Sequence, residues 1–434
     1  MKLSRIVLVL LAACGGGSSP DVDGGLTDPD GAVSPDAALS AVTIHLYEGH
    51  QPVAGRAVAF LKPDDSVISE TVTDATGTAS APMPAGGSVS VAGAGVVNGT
   101  VYTYLGVKNG QELTIGTPTP ATSTPFQISV TIPAGEQPTA QNFMVNATCN
   151  INASNESNLR TLDMMVRAGC TTADFYAATL DSSLHILSTA WRPAQPVSAG
   201  ATVSVGTTFT PPMTSTLSIT NAPQFATITP ALDLVVGTFY PVPPPFNTDI
   251  TITGGAGTKA LTHANITGAS LESRVQISNL GSQFWVKRGA PGTVALDLTA
   301  ANLPLLATQV DYSATAAAVT WTETGHTVDT SAAKLVVRNG TARNFTRLVV
   351  GAHTGESLHV PHLPASLDQF NAAAADTVTA TAVIGSFPGG YDRIISKAFV
   401  EGFDFFDSFY ALDRRNAWGY VLADGDVAMF ASSM

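Results

Sequence analysis

Apolar and polar residues alternate along much of this chain. Val42, Ile44 and Leu46 are interleaved with Thr43, His45 and Tyr47, a period of two that predicts a half-buried strand. Gly49 to Gly55 form a turn around Pro52-Val53, and Ala57 to Leu61 make a second strand. Pro63-Asp64-Asp65 turns the chain before a third strand, Ile68 to Thr73. Thr73 to Gly77 turns it again before Thr78 to Met83, and Pro84 to Gly87 leads into Ser88 to Val91. Further strands are expected at Val101 to Tyr104, Phe143 to Cys149, Asp174 to Leu180, Thr202 to Val205 and Thr216 to Thr220. Ser273 to Ser278 and Ser282 to Lys287 read as a hairpin around Asn279-Leu280-Gly281. Val319 to Thr324, Lys334 to Val337 and Leu348 to Gly351 continue the series. Pro241 to Pro245 is a stiff connector or edge, because proline does not sit in a central strand. Only Thr161 to Ala168 and Leu367 to Ala375 offer short helical stretches. Short strands separated by turn residues predict an all-β chain of tandem sandwiches.

The first forty residues follow a different rule. Lys2 and Arg5 precede a short apolar run, Ile6 to Leu11. That run is too short for a helix across the bilayer, which needs about 20 residues. A charged start, a short apolar core and small residues make an export signal. It ends Leu11-Ala12-Ala13-Cys14-Gly15, which resembles the lipobox of bacterial lipoproteins. The resemblance implies cleavage before Cys14 and diacylation of its thiol. Two acyl chains anchor a protein stably, at ~0.8 kcal/mol per buried methylene. In that family an Asp after the cysteine tends to retain the protein in the inner membrane. Gly15 stands there, so the resemblance implies the outer membrane. Residues 15–39 are rich in Gly, Ser, Pro and Asp and too poor in apolar residues to form a core. The pairs Asp21/Asp23 and Asp28/Asp30 lack the further ligands of a calcium loop, and the stretch reads as a solvated acidic tether.

The region from Ala41 resembles the carboxypeptidase regulatory-like, transthyretin-like β-sandwich. The resemblance is carried by the turn Gly49 to Gly55, the turn Thr73-Asp74-Ala75-Thr76-Gly77 and the return strand Pro84 to Val91. It implies a fold and says little about activity, since such modules are usually non-catalytic parts of larger surface proteins. The expected organisation is a signal over 1–13, a lipidated disordered linker over 14–39, and a regulatory-like sandwich over 40–133. A β-rich region of one or two sandwiches over 134–312 and a sandwich-like domain over 313–434 would follow.

Charge and cysteines narrow the class. The chain has 20 basic and 33 acidic residues, a net charge of −13; removing Lys2 and Arg5 makes it −15. Such a surface repels nucleic acid and anionic headgroups. Assigning Cys14 to lipid leaves Cys149 and Cys170 of the three cysteines. An even pair in an exported chain predicts a disulfide. The expected partners are a membrane, reached through the anchor, and an envelope polysaccharide or protein.

Two constellations are candidates for chemistry. His353, Glu356 and His359, with His362 beyond, combine imidazole and carboxylate donors that suit zinc. His353-x-x-Glu356 has the spacing of two zinc ligands in metallocarboxypeptidases. Pro361 and Pro364 interrupt regular structure there, and the His-Glu-x-x-His signature is absent. The second constellation is aromatic. Phe403, Phe405, Phe406, Phe409, Tyr410, Trp418 and Tyr420 lie among Asp404, Asp407 and Asp413. Exposed, Trp418 and Tyr420 would stack on sugar rings; buried, they would anchor a core. There is no Gly-x-Ser-x-Gly elbow, phosphate loop or dinucleotide fingerprint, and no motif calls for a cofactor. The leading expectation is a non-catalytic, membrane-anchored envelope protein with a structural, adhesive or ligand-binding role. A carbohydrate-binding surface module and an exported metal-dependent hydrolase are the alternatives.

Overall fold

A computed structural model describes residues 39–93, 99–116, 118, 124–133, 139–151, 155–206, 208–223, 227–237, 239, 241, 255–278, 282–299, 306–324, 327–340, 343–395, 399 and 423–433. Strand makes up 60% and helix 4%, so the chain is all-β, built of tandem sandwiches.

Eight strands form the first group: β1 (Ala41–Glu48), β2 (Gln51–Pro52), β3 (Ala57–Leu61), β4 (Val67–Val72), β5 (Thr78–Pro82), β6 (Gly87–Ala92), β7 (Thr100–Val107) and β8 (Glu112–Ile115). β1 pairs with β2, β5 and β8 in one sheet, while β4, β3, β6 and β7 lie side by side in another. The turn at Thr73 to Gly77 forms as its residues dictate. The Asp74 carboxylate accepts from the amides of Thr76 (2.8 Å) and Thr78 (3.0 Å), and Gly77 takes φ +74°. A Cβ on Gly77 would stand 2.4 Å from the Leu46 carbonyl oxygen, so the turn requires glycine.

The second group comprises β9 (Phe126–Thr131), β10 (Asn142–Ala147), β11 (Asn155–Ser157), β12 (Thr161–Val166), β13 (Thr172–Leu180), β14 (Ile186–Pro196) and β15 (Thr202–Ser204). β12-β9-β15 packs on β11-β10-β13-β14. The helical expectation for Thr161 to Ala168 is corrected. Leu162, Met164 and Val166 are buried at every second position and pair with β9, a strand period that outweighs helix propensity. Cys149 and Cys170 form the expected disulfide and close off the β11–β12 excursion.

The third group holds β16 (Met213–Thr220), β17 (Thr227–Val235), β18 (Gly257–His263), β19 (Ser270–Ser278), β20 (Ser282–Gly289) and β21 (Thr293–Asp297). The fourth holds β22 (Leu306–Ser313), β23 (Ala318–Thr324), β24 (Thr330–Asn339), β25 (Arg343–Ala352), β26 (Ser357–His359), β27 (Thr377–Ser386), the short helix α1 (Gly390–Ile395) and β28 (Val427–Ser433). The hairpin expected from Ser273 to Lys287 is β19–β20, with Ser278 opposite Ser282; its Asn279-Leu280-Gly281 turn lies outside the described residues. The second stretch expected to be helical, Leu367 to Ala375, is helical only as far as Phe370, in a short 3-10 helix over Ala365–Phe370.

The groups are not separate beads. One eleven-stranded sheet runs β17-β19-β20-β28-β27-β24-β25-β7-β6-β3-β4 through three of them. Its seam is the parallel pairing of β7 with β25, Thr100 opposite Thr346 through Tyr104 opposite Val350. A parallel pair is stable when both faces are covered, which favours unbroken apolar runs. Leu348-Val349-Val350 is such a run. Leu348 and Val350 join one buried cluster with Tyr102 and Tyr104, and Val349 joins another with Val101. The Phe399 ring closes the first, 5.2 Å from Tyr102 and 4.9 Å from Tyr104. On the other face Arg347 is 2% exposed and donates to the Pro361 carbonyl at 2.7 Å. Loss of hydration pushes its pKa down to about 10, which leaves it charged at neutral pH.

In the third group His263 is buried beside Ser215. Its Nδ1–H donates to the Ala264 carbonyl (2.7 Å), so Nε2 accepts the Ser215 hydroxyl at 2.8 Å, and Ser215 Oγ in turn accepts the Gly292 amide at 3.0 Å. Burial lowers the His263 pKa below its ordinary 6.5.

Two stability predictions follow from these contacts. Replacing Cys149 and Cys170 by Ser should lower unfolding free energy by about 3 kcal/mol, read from urea denaturation, because the disulfide closes a loop of about 20 residues. The neutral His263 contributes stability that is complete above its unfolded pKa of about 6.5 and is lost as pH falls from there through the lowered folded value. Melting temperature should therefore drop between about pH 7 and pH 5, and His263→Gln should flatten that slope.

Candidate functional site

The fourth group gathers the polar residues singled out around His353. β24 carries Ser331, β25 runs into His353, and β23 on the facing sheet carries Trp321 and Glu323. Ser331 lies opposite Gly351, two residues before His353, so the two side chains share a sheet face. Ser331 Oγ and His353 Nδ1 are 2.7 Å apart, and His353 Nε2 is 3.1 Å from Glu323 Oε1. A carboxylate only accepts, so His353 Nε2–H donates to Glu323, and Ser331 Oγ is the partner of Nδ1. Trp321 Nε1 donates to Glu323 Oε2 at 2.8 Å. The Glu323 amide donates to Glu356 Oε1 at 2.9 Å. The His353 and Glu323 side chains are only 11% and 19% exposed.

This wiring links a hydroxyl, an imidazole and a carboxylate in the order used for nucleophilic catalysis. Access separates it from a working relay. Ser331 is 0% exposed and is paired on both sides within the sheet, to Gly351 and to Ile384. A hydroxyl sealed in this way meets no substrate. What the network does in this structure is tie one sheet of the sandwich to the other through satisfied polar groups.

The three candidate zinc ligands do not meet at one point. His353 and Glu356 both reach Glu323, through its side chain and its backbone respectively. His359 Nε2 lies 2.9 Å from both carboxylate oxygens of Asp65, in the β3–β4 turn. The His362 amide donates to the same carboxylate at 3.3 Å. Beside them the Ser366 amide donates to Glu70 at 2.7 Å, and the Ser366 side chain and amide together lower the Glu70 pKa. Among the described residues, no three His, Cys, Asp or Glu side chains form a group able to hold a metal ion. Cys14, Trp418, Tyr420 and the aromatic stretch from Phe403 lie outside the described residues.

Glu323, Ser331 and Asp65 escaped the sequence reading. One signal was present: Glu323-Thr324-Gly325-His326 is His353-Thr354-Gly355-Glu356 with its first and last residues exchanged. Asp65 had no such signal, since 294 residues separate it from His359.

No family model matches the chain, so the two resemblances drawn from its motifs rest on those motifs alone. No curated protein matches it. Among solved structures, the Bacillus anthracis TIE protein is similar at 10% identity with a TM-score of 0.15, over 60% of this chain and 51% of that one. This chain thus spans about half the length of that protein. The major pilin subunit of Bacillus cereus is similar at 9% identity with a TM-score of 0.14, over 80% of this chain and 87% of that one. Likeness at these scores carries no argument about architecture or activity.

His353→Ala should leave the Ser331 hydroxyl and Glu323 Oε1 without their His353 partner, while Trp321 keeps Oε2, at about 1–3 kcal/mol of stability in urea denaturation. His359→Ala breaks a pair whose imidazole is 45% exposed and should cost no more than about 1 kcal/mol.

Proposed function

We propose that this chain is an exported bacterial lipoprotein, anchored through Cys14, with a non-catalytic structural, adhesive or ligand-binding role at the cell envelope. The observation that carries the reading is the distribution of its three cysteines. Cys149 and Cys170 pair with each other, a bond that persists in oxidising compartments outside the cytoplasm. The remaining thiol is Cys14, at the end of the charged and apolar export signal. Gly15 after it favours the outer membrane. A stiff body fused through one long sheet suits a holding role better than one that needs hinged closure around a substrate.

Fractionation of expressing cells tests this reading. The natural chain should sediment with membranes and incorporate labelled palmitate; Cys14→Ser should do neither. Unchanged membrane retention of Cys14→Ser would refute the anchor. Stoichiometric zinc in the purified body, lost on His353→Ala, would overturn the non-catalytic part of the reading.

A further inference from the structure

β1 is the first strand of the folded body, so any pull on an N-terminal anchor enters the body through it. Its side chains Val42, Ile44 and Leu46 are wholly buried. Its two long neighbours run in opposite senses. β5 pairs antiparallel, Ala41 opposite Pro82 through His45 opposite Thr78. β8 pairs parallel, Thr43 opposite Glu112 through Leu46 opposite Ile115. The Thr43 amide donates to the Gln111 carbonyl at 3.0 Å. That bond sets the phase of the parallel ladder, so the amides of Leu113 and Ile115 donate back to the carbonyls of Thr43 and His45.

The parallel sense has a mechanical consequence. The chain enters β1 at one end of the ladder and leaves β8 at the other. Tension between entry and exit runs along the strands, across the hydrogen bonds, and loads every rung together. Antiparallel β1–β5 is the opposite case. Ala41 and Pro82 are adjacent, so tension between them opens one rung at a time. β8 itself is held fast. The Tyr104 hydroxyl on β7 donates to the Thr114 carbonyl at 2.7 Å, and the Gly116 amide donates to the Phe399 carbonyl at 2.9 Å. At the entry, the Ser40 amide donates to Asn109 Oδ1 at 2.6 Å.

We propose that β1 is a shear clamp that passes tension from the anchored end of the chain into the eleven-stranded sheet. The proposal rests on the lipoprotein reading for the origin of the load, whereas the clamp is a property of the fold. A body that holds a partner at an envelope is pulled from its tethered end, and β1 is the strand that must not unravel first.

Single-molecule force spectroscopy on the chain from residue 14 onward tests it. The Cys14 thiol serves as one handle, because Cys149 and Cys170 are engaged with each other. The second handle is Pro118→Cys, beyond β8, or Ala85→Cys, beyond β5; both positions are exposed. Forced unfolding reports the barrier to rupture, and the Pro118→Cys geometry should need about three-fold or more the force of the Ala85→Cys geometry. A smaller ratio, or a reversed one, overturns the clamp. If Cys14→Ser stays on membranes, the source of load is wrong while the force ratio is unaffected, so the two failures are separable.

Discussion

The seam between β7 and β25 is the constraint on which the rest of the architecture depends. A parallel ladder cannot be closed by a short turn, and these two strands are joined only through more than two hundred residues of intervening chain. Its stability comes from cover on both faces. Tyr102, Tyr104, Leu348 and Val350 are buried on one side with Phe399, and Val101 and Val349 on the other. The ring contacts of Phe399 with the two tyrosines contribute about 0.5–1.5 kcal/mol each beyond buried area. Loss of that cover would expose sheet faces of two sandwiches at once. The first sandwich therefore shares its core with strands that come last in the chain, including β28.

Charged and polar groups inside this frame act as cross-ties. Asp65 holds His359 and the His362 amide, Glu70 holds the Ser366 amide, and Arg347 reaches Pro361 from the sheet floor. Each joins the β3–β4 edge or the sheet to the segment 357–370. The network of Ser331, His353, Glu323 and Trp321 does the same between the two layers of the fourth sandwich. Paired polar groups of this kind cost much when one partner is removed, which makes them specify one packing rather than many. The chemistry that zinc would need and the chemistry that ties sheets together draw on the same side chains. Here the second use accounts for the contacts of His353, Glu356 and His359.

The disulfide and the clamp act on different parts of the chain but bear on the same setting. Cys149–Cys170 restrains the β11–β12 excursion against unfolding in an oxidising medium. The β1–β8 ladder restrains the N-terminal strand of the folded body. Both would serve the exported protein proposed above, since unfolded chains outside the cytoplasm meet proteases without intracellular repair.

The sequence by itself determined the all-β class, most strand positions, the Thr73 to Gly77 turn, the β19–β20 hairpin and the cysteine pairing. A period of two and a turn that requires glycine can be read within a few residues, and the pairing followed from the two cysteines left once Cys14 is assigned to lipid. Thr161 to Ala168 invites a helical reading although it alternates through Val166, because Met165 at a more exposed position blurs the pattern. Tertiary structure alone decided that the sandwiches share one sheet, that β8 lies parallel to β1, and that His359 belongs to Asp65 rather than to His353. Such pairings join residues up to 294 positions apart. They are selected by which apolar faces can be covered together, and that is a property of the assembled core rather than of any segment.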